Sequence, residues 1–152
     1  MLKNYDHVGF TVSDLDRSLA FYRDLLGLKM EWERVYEEEY VRRVVNYPNL
    51  RLRCAFLKLP GTETRLELLE YQEVPRVQVD MHRANPGNAH LCIEGDDMDA
   101  LYEQLRTAGV DFVSPPVTST AGPYKGSKTV YLHDPDGISL QLMELHRDSS
   151  KK

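Results

Sequence analysis

The chain has 152 residues, 41% hydrophobic and 28% charged, with a formal charge of −5. That is the balance of a folded globular chain, enough for one ordinary domain or two half-domains sharing a core. The acidic balance argues against a general nucleic-acid binder, and no apolar run approaches the roughly 20 residues of a membrane span. Met1 to Asp6 lacks the apolar stretch of a secretory signal, and Cys54 and Cys92 sit in apolar, alternating segments as reduced core residues. A cytoplasmic chain with no nucleic-acid or membrane partner is therefore expected.

Taken in chain order, His7 to Val12 alternates as a strand, with Val8, Phe10 and Val12 on one face and His7, Gly9 and Thr11 on the other. Ser13-Asp14 then supplies an acidic helix start, and Leu15, Leu19, Tyr22 and Leu26 mark an apolar stripe that Gly27 closes. Strands are expected near Lys29 to Glu33, over Val41 to Tyr47 with Leu52 to Leu59, and from Arg65 to Tyr71. Glu37-Glu38-Glu39 with Arg42-Arg43 reads as a solvated strand edge or loop, and Arg51 or Arg53 as a possible anion contact.

The stretch from Glu73 to Gly87 has two prolines and little periodicity, which reads as a linker. The order of features then begins again. At an offset of 83, His7 falls on His90, Asp14 on Asp97 and Asp16 on Asp99. A strand opens at His90, and a helix carries Met98, Leu101, Leu105 and Ala108 before Gly109. Strands follow at Asp111 to Val113, Lys128 to His133 and Ile138 to Leu145, the last two joined by an Asp134-Pro135-Asp136-Gly137 turn.

The expected fold is α+β: two tandem βαβββ modules forming a half-open eight-stranded cup with helices outside. The modules span 1–72 and 88–146, with 73–87 as linker and 147–152 as a frayed tail.

Each module also carries one polar residue in the middle of an apolar closing strand. Glu67 opposes Leu66 and Leu68, and Gln141 opposes Leu140 and Leu142. A carboxylate in such a place is costly unless it is paired or bound to a cation. His7, Glu67, His90 and Gln141 together offer the nitrogen and oxygen donors that suit Zn²⁺, Ni²⁺, Co²⁺, Mn²⁺ or Fe²⁺. Glu144 lies on the other face of a regular strand and is set aside. His82, His133 and His146 have no counterpart in the other module and read as surface residues. The loop Gly122 to Ser127 reads either as an ordinary connection or as a flap carrying Tyr124 or Lys125.

His7-Val-Gly-Phe-Thr-Val-Ser-Asp-Leu15, Phe21-Tyr22-Arg-Asp-Leu-Leu-Gly27, Glu67-Leu-Leu-Glu70, His90-Leu-Cys-Ile93 and Tyr131-Leu-His-Asp-Pro-Asp-Gly137 are the stretches that decide the family. With them the chain resembles the vicinal oxygen chelate superfamily, which includes glyoxalase I, methylmalonyl-CoA epimerase, extradiol dioxygenases and bleomycin-resistance proteins. The resemblance implies metal ligands at His7, Glu67, His90 and Gln141, with Gln141 standing where a glutamate is usual. A glutamine cannot accept a proton, so Glu67, the one carboxylate left among the ligands, or a metal-bound water would be the base.

The activity implied is a divalent-metal-dependent lyase or isomerase of the glyoxalase I type. It would stabilise the enediolate or enolate of a small oxygen-chelating substrate. One alternative is an Fe²⁺ extradiol-type dioxygenase, for which Tyr131, ten residues before Gln141, would be the active-site tyrosine. The other is a metal-free protein that sequesters ligands, as bleomycin-resistance members do. The resemblance also implies a homodimer.

Overall fold

The structure is a computed structural model describing residues 1–147, which divide into two compact units, Met1–Val79 and Asp80 onward. The expected tail at 147–152 lies, beyond Arg147, outside the described residues. No strand or helix falls between Gln72 and His90, and no described helix is long and apolar enough to cross a membrane.

The first unit runs β1 (His7–Thr11), α1 (Leu15–Leu19), β2 (Lys29–Tyr36), α2 (Glu39–Val45), β3 (Arg51–Lys58) and β4 (Arg65–Gln72). Its four strands lie in the order β1-β4-β3-β2, with β1 parallel to β4 and the remaining pairs antiparallel. The second unit runs β5 (His90–Glu94), α3 (Met98–Thr107), β6 (Asp111–Phe112), β7 (Val117–Thr118), β8 (Lys128–His133) and β9 (Ser139–Glu144). Here the order is β5-β9-β8-β6, with β7 also on β8. Among the described residues the two sheets hold the eight expected strands and one more, the two-residue β7.

Both units bury the same face of their closing strand. Leu66, Leu68 and Glu70 of β4 are buried, as are Leu140 and Leu142 of β9. Leu15, Leu19 and Tyr22, like Met98 and Leu105, are almost fully buried. Each such side chain contributes about 1.5–3 kcal/mol. Asp14 accepts from Arg17 N and Asp97 from Ala100 N, so both acidic helix starts are N-caps.

A second glutamate of each closing strand completes these helix starts. Glu70 Oε2 accepts from Leu15 N at 3.3 Å, and Glu144 Oε2 accepts from Met98 N at 2.7 Å. The spacing Glu-x-x-Glu therefore sends one glutamate of β4 to its helix and the other to the opposite face.

Three expectations are corrected. Val41 to Tyr47 is not strand, because Glu39–Val45 forms α2. Its valines favour strand by propensity, but Val41, Val44 and Val45 share one helical face, and Asn46 at φ 59° ends the helix in the left-handed region. Glu37 and Glu38 accordingly lead into a helix that holds Glu39, Arg42 and Arg43, with Glu38 as its N-cap. The stripe of the first helix also shifts, because α1 continues as a π-helical turn over Ala20–Leu25. That widening buries Phe21 beside Tyr22, their rings 5.0 Å apart, in place of Leu26. Finally, Cys54 is buried but Cys92 is exposed, since it shares the open face of β5 with His90 and Glu94.

Candidate functional site

In the first unit, the open face of the sheet begins with His7. Its Nδ1–H donates to Asp6 Oδ2 at 2.7 Å, which leaves Nε2 facing Glu67 Oε2 at 3.3 Å. A carboxylate behind an imidazole fixes the tautomer and aims the other nitrogen, as at metal-ligating histidines. Asp6 is itself held below the usual carboxylate range by its hydrogen bonds to His7 and then Arg65. Glu67 is half-buried, and its Oε1 accepts from the Cys54 thiol at 3.3 Å. Burial, and then the Glu67 charge, push the Cys54 thiol well above its ordinary range, so Sγ keeps its proton and acts as donor.

Gly9 is what lets the carboxylate approach. A Cβ there would come within 3.2 Å of Glu67 Oε2. The Phe56 ring meets His7 edge-on at 5.3 Å and packs the imidazole from the side.

The second unit repeats the arrangement in the same register. Gly9 pairs with Glu67 across β1 and β4, and Cys92 pairs with Gln141 across β5 and β9. Phe56 and Tyr131 stand opposite Glu67 and Gln141 on the neighbouring strands. Tyr131 meets His90 edge-on at 5.2 Å, as Phe56 meets His7. Its hydroxyl donates to Gln141 Oε1 at 3.2 Å and lies 3.3 Å from His90 Nε2. Gln141 Nε2 donates to Thr129 Oγ1 at 2.8 Å, which orients the amide so that its oxygen points toward the Tyr131 hydroxyl. Thr129 thus serves Gln141 as Cys54 serves Glu67.

Each unit therefore presents one imidazole and one oxygen donor, each steadied by a small polar side chain and an aromatic ring. His7 and Glu67 come together, and so do His90, Gln141 and Tyr131. Among the described residues, no group of three or more His, Cys, Asp or Glu placed to hold a metal ion occurs. The donor chemistry nonetheless suits a divalent cation. His7 Nε2 and the Glu67 carboxylate lie 3.3 Å apart, and a positive charge held between them, a proton or a divalent ion, satisfies both.

Two expectations fail here, those for the arginines of β3 and for His133. Arg53 lies on the helix face of β3, where it pairs with Asp16 and Glu33, each at 2.8 Å, and with Glu70 at 3.4 Å. Arg51 pairs with Glu37 and Gln72. Both are committed to structure and are corrected as anion contacts. His133 is not a bare surface residue either: its Nδ1 lies 2.6 Å from Asp111 Oδ2 and its Nε2 accepts from Arg83 at 3.2 Å. Tyr124 stands 55% exposed in the turn held by Lys125 N–H to Gly122 O.

Asp6, Cys54, Phe56 and Thr129 were not anticipated. Asp6 had a sequence signal, an acid directly before a strand-opening histidine. The other three emerge only from strand register.

Comparison with known proteins agrees on the scaffold. The family described as the Glyoxalase/Bleomycin resistance protein/Dioxygenase superfamily matches residues 4–142. A 2-epi-5-epi-valiolone epimerase from an Actinomyces species is 33% identical over 91% of this chain and 78% of its own length. A lactoylglutathione lyase from Haemophilus influenzae is 32% identical over 91% of this chain and 90% of its own. The crystal structure of a glyoxalase family protein from Bacillus cereus has a TM-score of 0.80, covers 97% of each chain and is 21% identical, a likeness of fold.

Proposed function

Since the chain belongs to the glyoxalase/bleomycin resistance protein/dioxygenase superfamily, we propose that it is a divalent-metal-dependent lyase or isomerase of the glyoxalase I type. Its similarity to a lyase and to an epimerase supports an enzymatic role on this scaffold. His7, Glu67, His90 and Gln141 would hold the ion, of the Zn²⁺, Ni²⁺, Co²⁺, Mn²⁺ or Fe²⁺ class. When bound, such an ion supplies Lewis-acid stabilisation of the negative charge on an enediolate or enolate.

The observation that carries this reading is the first half-site. Asp6 accepts a hydrogen bond from His7 Nδ1–H, and this aims Nε2 at Glu67 Oε2, 3.3 Å away. Glu67 is the one carboxylate of the four donors, and its Oε1 is occupied by the Cys54 thiol. Oε2 is therefore the atom that takes and returns the substrate proton. Gln141 holds no proton to exchange, and the Tyr131 hydroxyl steadies its oxygen. The extradiol reading gains the placement of Tyr131 but has an amide where a carboxylate is needed.

Protein purified without added metal is expected to carry, or take up on titration, one divalent ion per chain. His7→Ala and His90→Ala should each weaken that uptake by about 100-fold or more. Lactoylglutathione and a set of 2-oxo and 2-hydroxy compounds, incubated in D₂O, should exchange an α-proton with wild type. Glu67→Gln should lose the exchange. A protein that takes up no divalent ion sinks this function, and oxygen consumption with catechols would replace it by the dioxygenase reading.

A further inference from the structure

Most arginines of the chain are spoken for. Arg23, Arg34, Arg53, Arg65, Arg106 and Arg147 each pair with at least one carboxylate. Arg83 does not. Among the described residues its guanidinium makes one hydrogen bond, from Nη1 to His133 Nε2 at 3.2 Å, and its remaining contact is the face of the Tyr131 ring, 5.9 Å from Cζ to centroid.

That single bond fixes where the charge sits. A guanidinium only donates, so His133 Nε2 must be the accepting nitrogen and Nδ1 must carry the hydrogen. Asp111 Oδ2, 2.6 Å from Nδ1, enforces this tautomer. The row Asp111–His133–Arg83 positions the guanidinium by a neutral acceptor and leaves its charge uncompensated by a direct partner. One of five N–H groups is used, and the rest of the planar fork is free to receive an oxyanion in two-point fashion. The Tyr131 ring beneath it is the one whose hydroxyl reaches His90 and Gln141. The Tyr131 side chain thus meets Arg83 at its ring and His90 and Gln141 at its hydroxyl.

We infer that Arg83 is the anchor for an oxyanionic group of the substrate, a carboxylate or a phosphate, with His133 and Asp111 as its positioning residues. The substrate class narrows accordingly to small oxygen chelators that carry a second, negatively charged end. The inference rests on the metal-centred reading only for what happens at the other end of the molecule.

The test uses metal-free wild-type protein and the Tyr131 ring resonances as a common reporter. Succinate and inorganic phosphate are titrated separately against chloride at matched ionic strength. A saturable shift with either is expected, and the anion with the tighter response names the class. Arg83→Gln should weaken the response about fivefold or more, while Arg43→Gln, a charge change on α2, leaves it unchanged. His133→Leu should weaken it too, and His133→Gln, which keeps an acceptor, should restore it. No saturable shift over chloride, or a response that survives Arg83→Gln, overturns the inference. Zn²⁺ titration of the same samples separates the two readings. Uptake of Zn²⁺ without anion binding sinks Arg83 alone, and anion binding without Zn²⁺ uptake sinks the metal reading alone.

Discussion

Three of the matched differences between the half-sites act together: Glu67 against Gln141, Cys54 against Thr129, and Phe56 against Tyr131. These differences compensate one another. A carboxylate only accepts, so its neighbour must donate, and a buried thiol held in its protonated form does so. An amide needs an acceptor for its NH₂ and a donor for its oxygen, and Thr129 and Tyr131 supply one each. Cys54→Val removes the donor to Glu67 Oε1 and is expected to weaken divalent-metal uptake by roughly 10-fold, whereas Cys54→Ser stays near wild type. Calorimetric titration of both variants checks this, and equal behaviour of the two would show that the S–H bond does nothing. Gln141→Glu is a different case. Tyr131 already donates, and Thr129 can turn its hydroxyl from Leu142 O to the new carboxylate, exchanging one hydrogen bond for another. The unfolding free energy should change by no more than about 1 kcal/mol, and metal uptake should tighten. A large destabilisation in denaturant melts would contradict that.

Among the elements, the helix starts give the next prediction. Glu144 reaches 46 residues back along the chain to the first N–H of α3, at 2.7 Å in a half-buried setting. Glu144→Ala leaves that donor without a partner and should cost about 1–3 kcal/mol, read as a lower denaturation midpoint with unchanged slope. Glu144→Gln keeps an acceptor and should recover most of it. The same elements show what the sequence could and could not convey. β1, β4, β5 and β9 were readable because one face of each is apolar against a helix, and a period of two survives even in five residues. The four candidate positions stand out for the same reason, as polar residues on the open faces of such strands, where the structure sets His7 beside Glu67 and His90 and Gln141 around one tyrosine hydroxyl. α2 was not, because valine propensity and helical spacing point in opposite directions and no residue of the helix is buried to decide between them. The π-helical turn depends on how Phe21 and Tyr22 pack, and β7 has only two residues. Cys54 and Thr129 look like ordinary strand residues until the register of β3 on β4, and of β8 on β9, sets them beside Glu67 and Gln141. Arg83 lies in an aperiodic stretch and has no local signal at all.

At the level of the whole molecule, the donors are divided evenly between the units: His7 and Glu67 belong to the first, His90 and Gln141 to the second. One ion held by all four requires a first-unit pair and a second-unit pair, drawn from one chain or from two copies of it. The duplicated architecture makes these alternatives experimentally distinct. His7→Ala spoils only first-unit pairs, and His90→Ala spoils only second-unit pairs. If the protein is a homodimer that shares its sites across chains, a mixed dimer of the two variants contains one site in which both pairs are intact. Co-refolding the variants, each silent alone, should then restore metal uptake at about one ion per mixed dimer, with α-proton exchange returning in proportion. Sites built within single chains give no recovery at any mixing ratio. The expected outcome is recovery, and light scattering on the same samples should give the mass of two chains. A monomeric mass with full metal uptake by wild type would place all four donors in one copy, and the dimer would then have no part in the chemistry.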